Sequence, residues 1–300
     1  MPSPPLPLRQ ERGSQCTSHP TPSQIEGEGT SSCGPVSPVS GAQPVVRVAF
    51  VTGAGRGIGK ALALGFARAG YSVVVGSTTH ALNQAVADEI QASGGVALAV
   101  ELDVADEASV DAAIAAGLAR FGRIDALVNN AGLKGGFFPE GQRLLSEMPT
   151  DRWRRMIDVN LTGVFLCSRA CAPIMIRQGR GSIINMSSSA GQRGRLGESL
   201  YGATKSGLDA LTRGWAADLQ EHNVAVNAIY PGMTVTERTN VEAMTPERRA
   251  MAMQTGASLP LALFLAEQDP ITVTGEVIEA LDWNVANGRG GREVWSVAAL

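Results

Sequence analysis

The chain has 300 residues, a formal net charge of −3 and 44% hydrophobic residues. That composition allows a large buried core, and the length allows one large domain or two small ones. The charge excludes a basic surface for nucleic acid, and no run of Lys and Arg indicates a membrane surface. No stretch reaches the roughly 18 apolar residues of a membrane span, and residues 1–44 lack the apolar run of a signal peptide. We therefore expect a cytoplasmic protein.

The four cysteines favour a reducing compartment. Cys16 and Cys33 lie near the amino terminus, whereas Cys167 and Cys171 lie four residues apart on one face of a predicted helix. The second pair has neither a nearby His nor a further pair of cysteines, so it lacks the spacing of a zinc site. We expect small core or interface thiols and no metal.

The first 44 residues predict a disordered tail. They are rich in Pro, Ser, Gly, Thr and Gln, with almost no large apolar residue after Leu8. Such a segment buries too little surface to offset its ordering entropy. The stretch PSPPLP fits a polyproline ligand for a partner. The alternative is a passive tail or an over-long start of the reading frame.

Predicted strands and helices alternate between residues 45 and 285. The predicted strands cover 45–53, 72–77, 96–104, 126–132, 181–188, 224–232 and 275–281. The main predicted helices cover 60–69, 82–92, 107–121, 151–178 and 201–221. Alternation requires right-handed crossovers, so we predict a single Rossmann-like, doubly wound α/β domain. Its parallel sheet has about seven strands, with helices on both faces, and residues 286–300 form a loose tail.

A glycine-rich turn, TGAGRGIG at 52–59, separates the first strand from the first helix. A doubly wound fold binds the pyrophosphate of a dinucleotide at this position. Glycines allow the backbone to approach the pyrophosphate, and the helix N-terminus offers free N–H groups to the anion. The predicted cofactor contacts in this turn are Gly53, Gly55, Arg56, Gly57, Ile58 and Gly59.

The end of the second predicted strand lacks an acid. In NAD-binding folds an Asp or Glu there binds the ribose 2′-hydroxyl, whereas this chain has Ser77 and Thr78. A carboxylate would repel a 2′-phosphate, and Arg56 lies within the neighbouring turn. NADP(H) is therefore favoured as cofactor, with NAD(H) possible.

A Tyr–Lys pair opens the long helix that begins near residue 201. The spacing of Tyr201 and Lys205 places both side chains on one helix face. Reduction of a ketone needs a proton donor near neutral pH, and a nearby ammonium favours the phenolate form of Tyr. A Tyr and a Lys four residues apart on a helix often occur by chance. The pair becomes informative only together with the other motifs of the chain.

With the turn spacing G-x-x-x-G-x-G and the Y-x-x-x-K pair, the chain resembles the short-chain dehydrogenase/reductase family. Within that family it is most similar to members of the 3-oxoacyl-(acyl-carrier-protein) reductase type. The resemblance spans about residues 45–240 and implies hydride transfer between nicotinamide C4 and a ketone or secondary alcohol. It also implies a homodimer or homotetramer.

The resemblance assigns roles along the chain. Asp103 and Val104 would contact adenine, and Asn130 of the NNAG motif would lie by the adenosine ribose. The segment that follows the sixth strand would meet the nicotinamide carboxamide through Pro231, Gly232, Thr234 and Thr236. Tyr201 and Lys205 would also bind the nicotinamide ribose.

The catalytic group implied by the resemblance is Asn160, Ser188, Tyr201 and Lys205. Ser188 lies 13 residues before Tyr201 and would hold the carbonyl oxygen, although Ser187 and Ser189 flank it and the register allows a shift of one. Asn160 would disturb its helix and hold a water that links Lys205 to solvent.

The chain departs from the family near its carboxyl end. The usual V-D-G-G turn is replaced by the residues from Ile278 to Asn284, and the stretch 254–266 looks short. This region commonly forms the substrate lid and a subunit interface. Trp295 and Leu300 are candidates to dock on a neighbouring subunit.

The residues predicted to form the walls of the substrate pocket have apolar, flexible side chains. They do not decide between oxoacyl thioesters, steroids, sugars and polyketide or terpenoid ketones as substrates. The candidates are Phe137, Phe138, Met233, Met244, Met251 and Met253, several of which could instead cover the core. Arg193 and Arg195 are either partners for a carboxylate or a phosphopantetheine, or solvated loop residues. The alternative functions are a non-catalytic NADP(H)-binding regulator and a scaffold recruited through the proline-rich tail.

Overall fold

The computed structural model describes residues 46–134, 144–194, 196–239, 241–242, 244–268 and 272–297. The predicted tail at 1–44 lies outside the described residues. So do four of the residues singled out above, Phe137, Phe138, Arg195 and Leu300.

The described residues form one parallel sheet of seven strands in the order β3-β2-β1-β4-β5-β6-β7. The strands are β1 (Val48–Thr52), β2 (Ser72–Ser77), β3 (Ala97–Glu101), β4 (Ala126–Asn129), β5 (Gly181–Met186), β6 (Val224–Tyr230) and β7 (Val277–Glu279). The order reverses between β1 and β4, so a crevice opens where their carboxyl ends diverge. The predicted doubly wound α/β fold is confirmed.

Helices connect the strands and cover both faces of the sheet. They are α1 (Gly57–Arg68), α2 (His80–Ala92), α3 (Glu107–Phe121), α4 (Thr150–Ile157), α5 (Gly163–Gln178), α6 (Ser199–Leu219), α7 (Pro246–Met251), α8 (Leu259–Glu267), α9 (Ala280–Ala286) and α10 (Arg292–Trp295). Because side chains alternate along a strand, Ala49 and Val51 join the core beneath α1, α2 and α8. Val48 and Phe50 join the core beneath α3 and α5.

The helix predicted over 151–178 is interrupted. A π-helical turn at Asp158–Thr162 separates α4 from α5. Among the described residues, the combined run Thr150–Gln178 is the one helix long and apolar enough to cross a membrane. More than half of its apolar window, 56%, is buried inside the domain, which is typical of a core helix. Cys167 and Cys171 are fully buried on α5, and burial raises the pKa of the Cys167 thiol to about 12.

The carboxyl-terminal segment corrects the expectation of a loose tail. Its backbone pairs with the strand-like segment after α7: Met253 bridges Ser296, and the Val297 N–H donates to the Ala252 carbonyl at 3.0 Å. The Trp295 indole N–H donates to the Arg289 carbonyl at 2.8 Å, within this chain. The sequence did not predict this contact. The residues before α10 are rich in glycine, and the segment that pairs with the carboxyl-terminal residues lies far away in the sequence.

Candidate active site

A cleft of about 470 Å³ opens at the carboxyl edge of the sheet, over the β1–β4 crevice. It gathers most of the residues predicted to bind cofactor or substrate. Those that line it are Gly53, Gly55, Arg56, Gly57, Ile58, Gly59, Ser77, Thr78, Asp103, Val104, Asn130, Ser188, Tyr201, Pro231, Gly232, Thr234 and Thr236. The other two, Asn160 and Lys205, are buried behind this lining.

The glycine-rich turn is a tight backbone cradle. Gly53 and Gly57 have φ angles of +64° and +58°, in the left-handed region that favours glycine. A Cβ added at Gly59 would lie 2.2 Å from the Gly53 carbonyl oxygen. The turn can therefore close onto the start of α1 only when residue 59 lacks a side chain.

Asn130 and Thr52 hold this cradle in place. The Asn130 amide donates to the Thr52 and Gly53 carbonyls at 3.0 and 3.2 Å. The Thr52 hydroxyl accepts from the backbone N–H groups of Asn130 and Ala131, each at 3.0 Å. The side chain of Asn130 thus supports the turn from behind, and the residue lines the cleft as well.

The N-terminus of α1 already binds an anionic group of this chain. The Gly57 N–H lies 3.1 and 3.4 Å from the two carboxylate oxygens of Glu237. Helix N-termini of this kind bind phosphates. A carboxylate at this donor, together with the glycine cradle, shows that the site fits the pyrophosphate of a dinucleotide. Sequence reasoning missed Glu237, although it directly follows the predicted contact Thr236.

The far end of the cleft is polar and carries no acid at the end of β2. The Ser77 hydroxyl is 2.5 Å from the Asn83 amide oxygen, and Thr78 is exposed. Asp103 accepts from the Ala105 N–H at 3.0 Å and forms an ion pair with Arg155 at 3.3 Å. Arg155, which sequence reasoning also missed, adds a cation to this end of the cleft.

Tyr201 and Lys205 lie together at the start of α6. The Lys205 ammonium is 5.7 Å from the centre of the Tyr201 ring and donates to the Met186 carbonyl at 2.7 Å. Burial lowers the pKa of Lys205 from 10.5 to about 8, and the negative charge of Asp209 opposes that shift. Lys205 is therefore still cationic at neutral pH, deep beneath the phenol.

Asn160 occupies the π-helical turn between α4 and α5. Its amide oxygen accepts from the Leu133 N–H at 2.7 Å, and its NH₂ group donates to the Leu133 carbonyl at 2.9 Å and to the Thr204 hydroxyl at 3.1 Å. The expected helix disturbance is present. These contacts join the loop after β4 to α6, next to Lys205.

Ser188 and Ser187 have different environments. Ser187 is buried and its hydroxyl donates to the Asp209 carboxylate at 2.5 Å. Both serines line the cleft, but Ser188 is only half-buried and its hydroxyl accepts from the Ala190 N–H at 3.2 Å. This arrangement favours Ser188 as the residue that faces a substrate.

A second lysine lies beside the phenol. The Lys134 ammonium is 5.5 Å from the centre of the Tyr201 ring and 3.2 Å from the Glu198 carboxylate. Glu198 immediately precedes α6 and is 9% exposed. The sequence could have indicated that both residues lie at the site. Lys134 comes just after the NNAG motif, and Glu198 comes three residues before Tyr201.

The predicted apolar pocket is assembled only in part. Met233 and Leu133 line the cleft, whereas Met253 is buried in the fold and Met251 is exposed. Asn227 has a structural role, because its side chain bonds the backbone of Val273 and Glu276 in the segment before β7. Among the described residues, no group of three His, Cys, Asp or Glu side chains forms a metal site.

The fold and this cleft define a dinucleotide-dependent oxidoreductase, and the chain belongs to the short-chain dehydrogenase family. The family model for short chain dehydrogenases matches residues 47–246. The predicted family resemblance is thereby confirmed.

Individual relatives agree. The chain is 45% identical to a 3-oxoacyl-(acyl-carrier-protein) reductase of Synechocystis, over 64% of this chain and 76% of the relative. It is 39% identical to a Staphylococcus aureus enzyme of the same name, over 75% and 87%. A solved structure from Agrobacterium tumefaciens, described as a candidate gluconate dehydrogenase, is 31% identical with a TM-score of 0.70, over 78% and 93%.

The protein is therefore an NAD(P)-dependent oxidoreductase that interconverts a ketone and a secondary alcohol. NADP(H) is the favoured cofactor and NAD(H) is possible. The catalytic interpretation holds over the alternatives of a non-catalytic regulator or scaffold.

Proposed function

We propose that the chain reduces a ketone with NADPH and that Tyr201 is the proton donor. The observation that carries this proposal is the buried Lys205 ammonium, 5.7 Å from the centre of the Tyr201 ring. Tyr201 itself lines the cleft that also contains the glycine-rich turn. When bound, the nicotinamide ring supplies the hydride for the carbonyl carbon.

Proton donation is the work of Tyr201 and Lys205. As charge develops on the carbonyl oxygen, the Tyr201 hydroxyl donates its proton to that oxygen. The Lys205 ammonium stabilises the resulting phenolate, and its low-dielectric surroundings strengthen this attraction. The Met186 carbonyl holds the ammonium in place.

Ser188 and Asn160 complete the proposed catalytic group. The Ser188 hydroxyl lines the cleft and donates a hydrogen bond to the carbonyl oxygen of the substrate. Asn160 holds the π-helical turn and the Leu133 backbone in register with α6. A rigid turn at this place keeps a water path open between Lys205 and solvent.

The proposed cofactor contacts follow the cleft from one end to the other. Gly53 to Gly59 bind the pyrophosphate; Arg56, Ser77 and Thr78 accommodate the 2′-phosphate; and Asp103, Val104 and Asn130 border the adenosine. Pro231, Gly232, Thr234 and Thr236 lie at the nicotinamide end. All of these residues line the same continuous cleft, and this supports the assignment.

For the substrate we propose a 3-oxoacyl thioester, on the basis of the relatives' activity and the apolar side chains of Leu133 and Met233 in the cleft. A polyhydroxylated keto acid is the second candidate. The Lys134–Glu198 pair beside Tyr201 favours it, because the ammonium can donate to a carboxylate or a hydroxyl and the Glu198 carboxylate can accept from hydroxyls.

We also propose a cytoplasmic homotetramer, with a homodimer as the alternative, and one domain over residues 45–285, on which the segment up to Val297 docks. The buried, unbridged thiols of Cys167 and Cys171 fit a reducing compartment. The exposed side chains of Trp153 and Phe165 favour a subunit contact. A single-chain mass by light scattering would contradict the assembly.

Oxidation of NADPH and NADH by the purified protein, against acetoacetyl thioesters and keto-aldonates, tests the function. Tyr201→Phe is expected to lower turnover by roughly 10²–10⁴. Tyr71→Phe is the matched control, because the Tyr71 hydroxyl is buried, lies outside the cleft and has no hydrogen-bond partner among the residues that the structure describes. Equal loss of turnover in both variants, or no turnover by the parent protein, would contradict the proposal.

A further inference from the structure

A buried carboxylate that family resemblance did not assign lies one helical turn after Lys205. Asp209 is 5% exposed on α6. Its two oxygens accept hydrogen bonds from the hydroxyls of Ser187, at 2.5 Å, and Tyr230. Burial of a carboxylate costs free energy unless hydrogen bonds and a nearby positive charge compensate for its lost solvation.

Asp209 joins the three segments that carry the proposed reacting groups. Ser187 directly precedes Ser188 at the end of β5, and Tyr230 directly precedes Pro231 and Gly232 at the end of β6. Asp209 itself lies on the helix that carries Tyr201 and Lys205. One side chain thus fixes the substrate side and the nicotinamide side of the cleft relative to the proton donor.

The charge of Asp209 acts on Lys205. Residues four apart on a helix are neighbours, and burial alone would drive the Lys205 ammonium toward its neutral form. The other groups that face this pair are the Tyr201 ring on α6, the Met186 carbonyl and Ser187 from β5, and Tyr230 from β6.

Tyr230 is a neutral donor to this carboxylate. Burial and the hydrogen bond to Asp209 raise the pKa of its phenol well above the usual value, with Gln192 and Arg213 opposing. Asp209 is thus the acid whose charge offsets the burial of Lys205.

We propose that Asp209 is a positioning residue of the active site, which aligns Ser188 and the Pro231–Gly232 segment with α6 and keeps Lys205 cationic. This inference rests on the proposed function for the roles of Lys205 and Ser188. The underlying electrostatic claim can be measured without turnover.

The direct test is the titration of Lys205 in protein labelled with ¹³C-lysine. The sequence contains three lysines, Lys60, Lys134 and Lys205, so their signals are assigned with Lys60→Gln and Lys134→Gln. In Asp209→Asn, which keeps the side-chain shape and loses the charge, the titration of Lys205 should move about one pH unit lower. Ser187→Ala keeps the charge and should leave that titration within a few tenths of a unit.

Kinetics provide the second arm. Asp209→Asn should lower kcat at least tenfold and keep the NADPH Kd within about threefold of the wild-type value. The alkaline limb of its pH profile of kcat/KM should shift by the same amount as the Lys205 titration measured by NMR. An unmoved Lys205 titration in a folded Asp209→Asn protein overturns the inference, whatever its activity. A moved titration in a protein without turnover supports Asp209 and counts against the proposed function.

Should Asp209→Asn fail to fold, Ser187→Ala and Tyr230→Phe decide the positioning role. Each removes one hydrogen bond to Asp209, and each should lower kcat several-fold with an unchanged NADPH Kd. Wild-type kcat in both variants overturns the inference.

Discussion

Replacement of Gly59 by Ala perturbs the cofactor cradle at its tightest point. The added Cβ would lie 2.2 Å from the Gly53 carbonyl oxygen and 2.5 Å from the Asn130 amide nitrogen, more than 1 Å inside ordinary contact. Neither group can move freely, because the Asn130 amide is bonded to the Gly53 and Thr52 carbonyls. The turn must therefore open away from the N-terminus of α1.

The size of the effect follows from this geometry. Overpacking of a fixed site costs about 2 kcal/mol, which lowers Tm by roughly 4–8 °C in a chain of this size. Loss of one hydrogen bond to a phosphate costs about 2 kcal/mol more, so the NADPH Kd should rise about 30-fold. Calorimetric titration with NADPH and differential scanning calorimetry measure the two effects.

Gly214→Ala is the matched control. Gly214 lies within α6, and an added Cβ there would have no heavy atom within 4 Å among the described residues, apart from its chain neighbours and the helix's own backbone. Alanine in a helix interior is more stable than glycine by about 1 kcal/mol, so Tm should rise slightly and the NADPH Kd should not change. A Gly59→Ala protein with the wild-type Tm and Kd would refute the reasoning about the cradle.

Four other changes test separate parts of the site. In Tyr201→Phe, kcat should fall by roughly 10²–10⁴, the usual contribution of a general acid, while the NADPH Kd rises far less, because only the ribose contact of one hydroxyl is lost; retained turnover would exclude Tyr201 as donor. In Ser77→Asp, like-charge repulsion of the 2′-phosphate should reverse the cofactor preference, measured as kcat/KM for NADPH against NADH, and an unchanged ratio would place the 2′-phosphate elsewhere. In Glu237→Gln, the anion that competes for the Gly57 N–H loses its charge, so the NADPH Kd should fall several-fold; a weaker complex would indicate that Glu237 assists binding. Because burial lowers the pKa of Lys205 to about 8 from 10.5, the unfolded chain binds more protons than the folded one between these values, and the free energy of unfolding should rise with pH across that window. Urea titrations at pH 7.5 to 10 measure this rise, which Lys205→Met should lack.

The sequence alone was sufficient to predict the sheet and most of the residues that line the cleft. Parallel strands are buried on both faces, so β1, β2 and β5 stand out as short apolar runs, and the glycine turn follows β1 directly. The end of each strand marks the edge of the sheet where a ligand binds. At these positions the local sequence pattern and the general rule for ligand binding in α/β folds predict the same residues.

Contacts between segments distant in sequence were not predictable in the same way. Glu237 reaches Gly57 across 180 residues, and the carboxyl-terminal strand segment pairs with Met253; neither contact has a local signal. Asp209 did have a local signal, because it lies four residues after Lys205 on the helix face that carries Tyr201 and Lys205. Only its partners Ser187 and Tyr230, which come from two other strands, show that the carboxylate is buried.

Transfer of deuterium tests the central claim most directly. NADPH carrying deuterium at both hydrogen positions of nicotinamide C4 is incubated with an acetoacetyl thioester and the protein, and the hydroxyacyl product is analysed by mass spectrometry. The account predicts a product one mass unit heavier, formed by the parent protein and by Tyr71→Phe but not by Tyr201→Phe. Unlabelled product, or equal labelling with Tyr201→Phe, would contradict it.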